Sequence, residues 1–196
     1  MREWNFASIL GRVDFMSKDL SDASGAESAV IVALPQAERA VGNWRARLDP
    51  TAALGIPAHV TILYPFVQPD QLGDQVLARL TSAVQSVARF HTALARVGWF
   101  DKRVVWLAPE PDLPFRQLTA AVCAEFPDHP PYGDVHLDVV PHLTIGADAS
   151  PLELETAGIL IKDHLPIQVE VWSVQLFCGS RDPHSWGCVA EISLTE

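Results

Sequence analysis

Several large protein classes are excluded by what this chain has little of. No apolar run approaches the ~18 residues of a membrane-spanning helix. The opening MREWNFASILGRVDFMSKD carries acidic residues and no sustained apolar stretch, so it does not read as a signal peptide. Cysteine is scarce: Cys123, Cys178 and Cys188 form an odd set without a CxxC pair, which fits a reducing cytoplasm better than a disulfide framework. Lysine is scarcer for its class, with only Lys18, Lys102 and Lys162. Fourteen Lys plus Arg against 24 Asp plus Glu leave a formal charge of −10. Proteins that grip long nucleic acid neutralise many phosphates with a basic face. A sequence-specific duplex binder is therefore excluded, and any nucleotide ligand should be small or be the end of a strand. There is no Walker or GxGxxG loop, which removes the usual NTPase and dinucleotide readings. No repeat occurs at a solenoid period.

Hydrophobic residues make up 48% of the 196 and charged residues 19%, which argues against disorder. A chain this long buries roughly 70% of its unfolded surface and needs no disulfide or structural metal to fold. Residues 1–27 carry no clean period and run into a linker-like SDASGAES, so a flexible extension is expected there. A single domain is expected over 28–196.

Within it the patterning predicts strands at 28–34, 58–66, 92–99, 103–108, 139–146, 166–178 and 186–194. Helices are predicted from 37 to 48, from an Asp70 cap along Leu72, Val76, Leu77, Leu80, Val84 and Val87, from 112 to 126, and from Pro151 to about 163. Over 166–178 the apolar parity slips, from Ile167, Val169 and Val171 to Trp172, Val174 and Leu176, which suggests a bulge or a strand covered on both faces. The second half of this order loosely echoes the first, as two similar lobes would.

Two tetrapeptides stand out, His59-Val60-Thr61-Ile62 and His142-Leu143-Thr144-Ile145, 83 residues apart. Side chains alternate along a strand, so each presents an imidazole and a hydroxyl on one surface, with apolar residues beneath. A single HxT is usually an ordinary surface pair, but two by chance arise in roughly 3% of such sequences. Histidine titrates near neutrality and serves as acid or base. One imidazole on each side of a phosphodiester supplies both proton transfers of an in-line displacement. Thr61 and Thr144 can donate to the non-bridging oxygens, whose charge grows in the transition state. This layout requires no metal and no cofactor.

The paired tetrapeptides, with the stretches PAHVTILYPF, FDKRVVWLAPEP and VVPHLTIG, resemble the two-histidine (2H) phosphoesterases. The likeness is to their branch of 2′–5′ RNA ligase-like proteins and cyclic nucleotide phosphodiesterases, and runs from about Ser28 to Leu194. It implies an α+β, bilobal fold with two mostly antiparallel sheets, outer helices and a central cleft on a pseudo-two-fold. It also implies hydrolysis of 2′,3′-cyclic phosphates on a nucleotide or an RNA end, with weak reversible 2′–5′ ligation in some members. Arg103 falls where family members often carry a basic residue, and it is either a phosphate contact or a solvated hairpin arginine.

Tyr64 and Phe66 are placed either to stack on a base at the cleft mouth or to fill the core. Trp106 reads as core first and as a base platform second. Arg181, His184 and Trp186 form a loop that either closes over a ligand or is a plain polar turn. His91, His129, His136 and His164 have no motif partner. The nearest metal set, His136, Asp138 and His142, has no clear fourth group, and the cysteines sit in packing patterns. A non-catalytic protein that binds a nucleotide or RNA end on the same fold is the alternative.

Overall fold

In the computed structural model, which describes residues 25–131 and 139–196, the first apolar run is strand β1 (Glu27–Ala33). It lacks alternation because both of its faces are covered. Val30 and Val32 face the main core, while Ala29 and Ile31 join a second apolar cluster with Ile56, Phe177 and Trp186. β1 pairs antiparallel with β2 (His59–Leu63) on one side and β7 (Ser173–Gly179) on the other. Adding β8 (Gly187–Ser193) gives the order β2-β1-β7-β8.

The second sheet runs β5-β4-β3-β6, from β3 (Phe90–Phe100), β4 (Val104–Glu110), β5 (Leu143–Ala147) and β6 (Ile167–Val171). Its ladders are also antiparallel. β3 and β4 are joined by the three residues 101–103, in which Asp101 and Lys102 both have positive φ and the Arg103 N–H closes the turn on Phe100 O.

The two sheets correspond strand by strand, and each keeps its histidine motif at one edge. Those edge strands, β2 and β5, contact each other where the lobes meet. Helix α1 (Glu38–Leu48) follows β1 and packs against β5. A one-turn helix α2 (Pro50–Ala53) comes next, and then α3 (Asp74–Val84). Helix α4 (Leu113–Glu125) follows β4 and packs against β2 and α3. Each lobe's helix thus backs the other lobe's motif strand, and a single core holds Val60, Ile62, Leu118, Leu143 and Ile145 together. Helix α5 (Pro151–Leu160) is capped by Ser150, whose hydroxyl accepts the Glu153 N–H and donates to the Glu153 carboxylate.

The bilobal α+β expectation holds, with three local corrections. The long strand over 166–178 is two strands: β6 ends at Val171 in one sheet and β7 begins at Ser173 in the other. The parity slip at Trp172 is this change of sheet, rather than a bulge. Asp70 does not cap α3. Pro69 opens a separate 3₁₀ turn (Pro69–Gln71), Leu72 is extended, and α3 starts after Gly73. Strand β5 begins at Leu143 rather than 139, so His142 stands at its entrance, just after Pro141, which has no N–H to give to a ladder. Most of the 1–27 extension lies outside the described residues. Among the described residues no helix is long and apolar enough to cross a membrane.

Candidate active site

His59 opens β2, and His142 immediately precedes β5. With Thr61 and Thr144 they line one cleft of about 780 Å³. All four are half-buried, while Val60, Ile62, Leu143 and Ile145 are buried in the core. The expected alternation is therefore the observed one. Both imidazoles are anchored in the same way. His59 Nδ1 lies 2.7 Å from Pro57 O, and His142 Nδ1 lies 2.7 Å from Val140 O. A carbonyl only accepts, so in each ring Nδ1 carries the donated proton and neutral Nε2 keeps its lone pair for chemistry.

Burial pulls the His59 imidazole down to about 4. The Pro57 carbonyl and the Asp49 carboxylate oppose this, while the Arg45 guanidinium and His142 push the same way as burial. Burial also lowers His142, against its bond to Val140. Both rings are thus neutral in the ligand-free cleft at neutral pH, and an anionic ligand between them would raise both.

The surroundings differ between the two rings. Phe100 meets His142 edge-on at 5.0 Å, and Trp106 lies 5.8 Å away. Trp106 fits only because residue 98 is glycine: a Cβ there would stand 2.4 Å from the indole. Beneath His59 lies a buried polar network. The Arg45 Nε and Nη2 donate to Asp49 Oδ2 at 3.0 and 2.9 Å, and Asp49 Oδ1 accepts from the Thr51 N–H and hydroxyl. The first-lobe wall of the cleft is the apolar cluster of Ala29, Ile31, Ile56, Phe177 and Trp186, with Leu54 and Tyr64 against it. Trp186 is held by its indole N–H, which donates to Ser180 O at 2.8 Å.

Tyr64 lines the cleft, and its hydroxyl donates to Glu27 at 2.9 Å. Burial first and that carboxylate second push the phenol up to about 12. Phe66 does not line the cleft. Its N–H bonds to Ser28 O, which turns the ring into the core, edge-on to Phe126 at 4.8 Å. Arg103 is also outside the cleft lining: it follows the β3–β4 turn, exposed, and pairs with Asp148. Trp106 is core. From the β7–β8 loop, Arg181 and Trp186 line the cleft and His184 does not.

His91 pairs with Glu170 at the surface, His164 is exposed, and His129 leans on Phe66. His136 and Asp138 lie outside the described residues. Among the described residues no three His, Cys, Asp or Glu side chains gather to hold a metal ion. Burial pushes the Cys178 thiol up to about 12 and raises Cys123, while Cys188 is exposed on β8.

Glu27, Asp49, Phe100 and Phe177 also line the cleft, and the sequence patterning does not single them out. Asp49-Pro50 marks only a helix stop there. The one usable signal is a carboxylate sitting four residues after Arg45.

A family model described as the 2′-5′ RNA ligase superfamily matches residues 33–182, a span that holds both tetrapeptides and most of the cleft. The chain belongs to the 2′-5′ RNA ligase superfamily. No curated protein sequence matches it significantly. Among solved structures, E. coli LigT complexed with 3′-AMP is similar at a TM-score of 0.60 and 18% identity, covering 88% of this chain and 100% of LigT. A structure described as a phosphoesterase gives 0.57 at 17% identity, over 88% of this chain and 100% of the other. A Thermus thermophilus protein gives 0.57 at 16%, over 85% and 97%. LigT has also been crystallised with phosphate, ATP and NADP+. At these identities the likeness carries the fold. The antiparallel, two-sheet architecture of this superfamily member is therefore established independently of the motifs.

Proposed function

We propose that this superfamily member hydrolyses a cyclic phosphodiester by metal-independent two-histidine catalysis. The substrate is a nucleoside 2′,3′-cyclic phosphate or a short RNA ending in one. The observation that carries the reading is the matched pair: two imidazoles in one cleft, each anchored through Nδ1 at 2.7 Å and each with a threonine two residues on. One neutral imidazole takes a proton at Nε2 from the attacking water as its oxygen bonds to phosphorus. The other, protonated once the anionic substrate raises its proton affinity, gives its Nε2 proton to the ribose oxygen whose bond to phosphorus breaks. The Thr61 and Thr144 hydroxyls hold the non-bridging oxygens. A ribose 5′-hydroxyl in place of water would leave a 2′–5′ link by the same proton transfers, which accounts for weak ligation as a side activity.

The cleft volume is in the range of small-ligand sites. Tyr64, Phe177 and Trp186 provide an aromatic wall for a base, and Arg181 provides a cation. LigT's crystallisation with 3′-AMP and with ATP supports a nucleotide ligand for this fold. The test is turnover of 2′,3′-cyclic nucleotides by the purified full chain, followed by chromatography and ³¹P NMR, with His59→Ala and His142→Ala as controls. Hydrolysis that both substitutions abolish is expected. Tight binding of the cyclic nucleotide without turnover would replace the enzyme reading with that of a nucleotide-binding protein.

A further inference from the structure

The histidine anchors are themselves held, and in the same way in both lobes. Arg45 Nη2 donates to Ile56 O at 3.2 Å, and Arg116 Nη1 donates to Val139 O at 3.2 Å. Ile56 and Val139 each stand three residues before the motif histidine, one before the carbonyl that fixes Nδ1. Each arginine is braced by an aspartate one helical turn away. Arg45 pairs with Asp49 at 2.9 Å, and Arg116 Nε donates to Asp112 at 2.8 Å. Arg45 comes from α1, between β1 and β2, and Arg116 from α4, between β4 and β5. These are equivalent places under the pseudo-two-fold. Neither side chain lines the cleft.

A loop carbonyl orients an imidazole only if the loop is ordered. A guanidinium's rigid fork of donors can tie a helix, a carboxylate and a loop carbonyl at once. In the first lobe the tie is tighter. Arg45 is 3% exposed, a placement that persists only because Asp49, Thr51 and Ile56 O satisfy it. Glu38 then accepts the Ala58 N–H at 2.6 Å. That N–H and Pro57 O belong to one peptide unit, so Glu38 grips the back of the group that holds His59. In the second lobe the corresponding unit ends in Pro141, which has no N–H, and its ring restricts the backbone instead.

We propose that Arg45 and Arg116 are twin positioning residues, each locking the loop that sets the tautomer and orientation of the histidine in its own lobe. The proposal rests on the two-histidine reading for its kinetic consequences, but its structural content can be read without turnover.

Arg116→Met is the primary variant, because Arg116 and its partner Asp112 are both partly exposed, at 38% and 41%. Long-range ¹H–¹⁵N NMR of the imidazoles in the ligand-free full chain reports which nitrogen carries the proton. The expected result is that His142 leaves the single Nδ1–H tautomer for a mixture while His59 keeps its spectrum. In turnover, kcat should fall about 10–100-fold, by analogy with the loss of a hydrogen-bond partner that orients a metal-bound histidine, with KM within about twofold. Arg116→Lys, which retains a cationic donor but not the fork, should fall between Arg116→Met and the wild type in both.

Glu38→Ala should do the converse, disturbing His59 and sparing His142. It stands in for Arg45→Met should the buried change fail to fold. An unchanged His142 tautomer in Arg116→Met, or equal disturbance of both rings, would overturn the proposal. Absence of turnover in the wild type with the NMR pattern as expected would instead overturn the enzymatic reading alone.

Discussion

Replacing His59 with glutamine should change the pH dependence of stability, and the size of the change follows from the burial of the ring. In the unfolded chain the imidazole titrates near 6.5; in the folded protein it titrates at about 4. Between those values the unfolded chain binds a proton that the folded one refuses, so stability falls as the pH drops through 6.5 and stops falling below about 4. The full gap is worth about 3 kcal/mol at ~1.4 kcal/mol per unit, of which about 2 kcal/mol is lost by pH 5. The ring is half-buried with an open cleft beside it, which makes these figures upper ends. The assay is urea unfolding of both proteins at pH 8 and pH 5, followed by tryptophan fluorescence. Carboxylates away from the cleft titrate in both proteins and cancel in the comparison, while His142 and Asp49, which feel the His59 charge, are compared through a His142→Gln background. The wild type should lose about 2 kcal/mol more than His59→Gln over that interval. Parallel losses would show that His59 titrates near its ordinary value, and the desolvated neutral ring would be refuted.

Thr61→Ala or Thr144→Ala should each reduce kcat by no more than about 10²–10³-fold, the worth of one oxyanion donor, and by less than His59→Ala or His142→Ala. A threonine variant slower than both histidine variants would contradict the assigned roles. Turnover should survive EDTA; loss on chelation with recovery in Zn²⁺ or Mn²⁺ would require a metal mechanism. Gly98→Ala drives a methyl into Trp106, which packs beside His142. It should cost about 1–3 kcal/mol in urea unfolding, as overpacking does, and should lower kcat through His142. Normal stability and rate would show that the indole has room to move.

The periodicity of side chains along the chain already placed His59, Thr61, His142 and Thr144. An HxT on a strand puts both polar groups on one face whatever the strand packs against, and the apolar residues between them must then point inward. The hairpin across Phe100-Asp101-Lys102 and most helix spans were legible for the same local reason. The fate of Phe66 was not: a residue just past a strand end can turn either way, and a bond from its N–H to Ser28 O, 38 positions away, decides it. Nor was the division of 166–178 between two sheets, since a parity slip looks alike whether the strand bulges or changes partners. Arg103 was left between a phosphate contact and a solvated hairpin arginine, and its pairing with Asp148, 45 positions on, is a tertiary contact that no local pattern announces. The twin ties of Arg45 and Arg116 left no pattern in the sequence, because each joins a helix to a loop carbonyl, and a backbone acceptor has no side-chain identity to read. Local alternation wrote the paired histidines and threonines into the chain; only the packing of one lobe's helix beneath the other's strand brought them to one cleft and fixed how they are held.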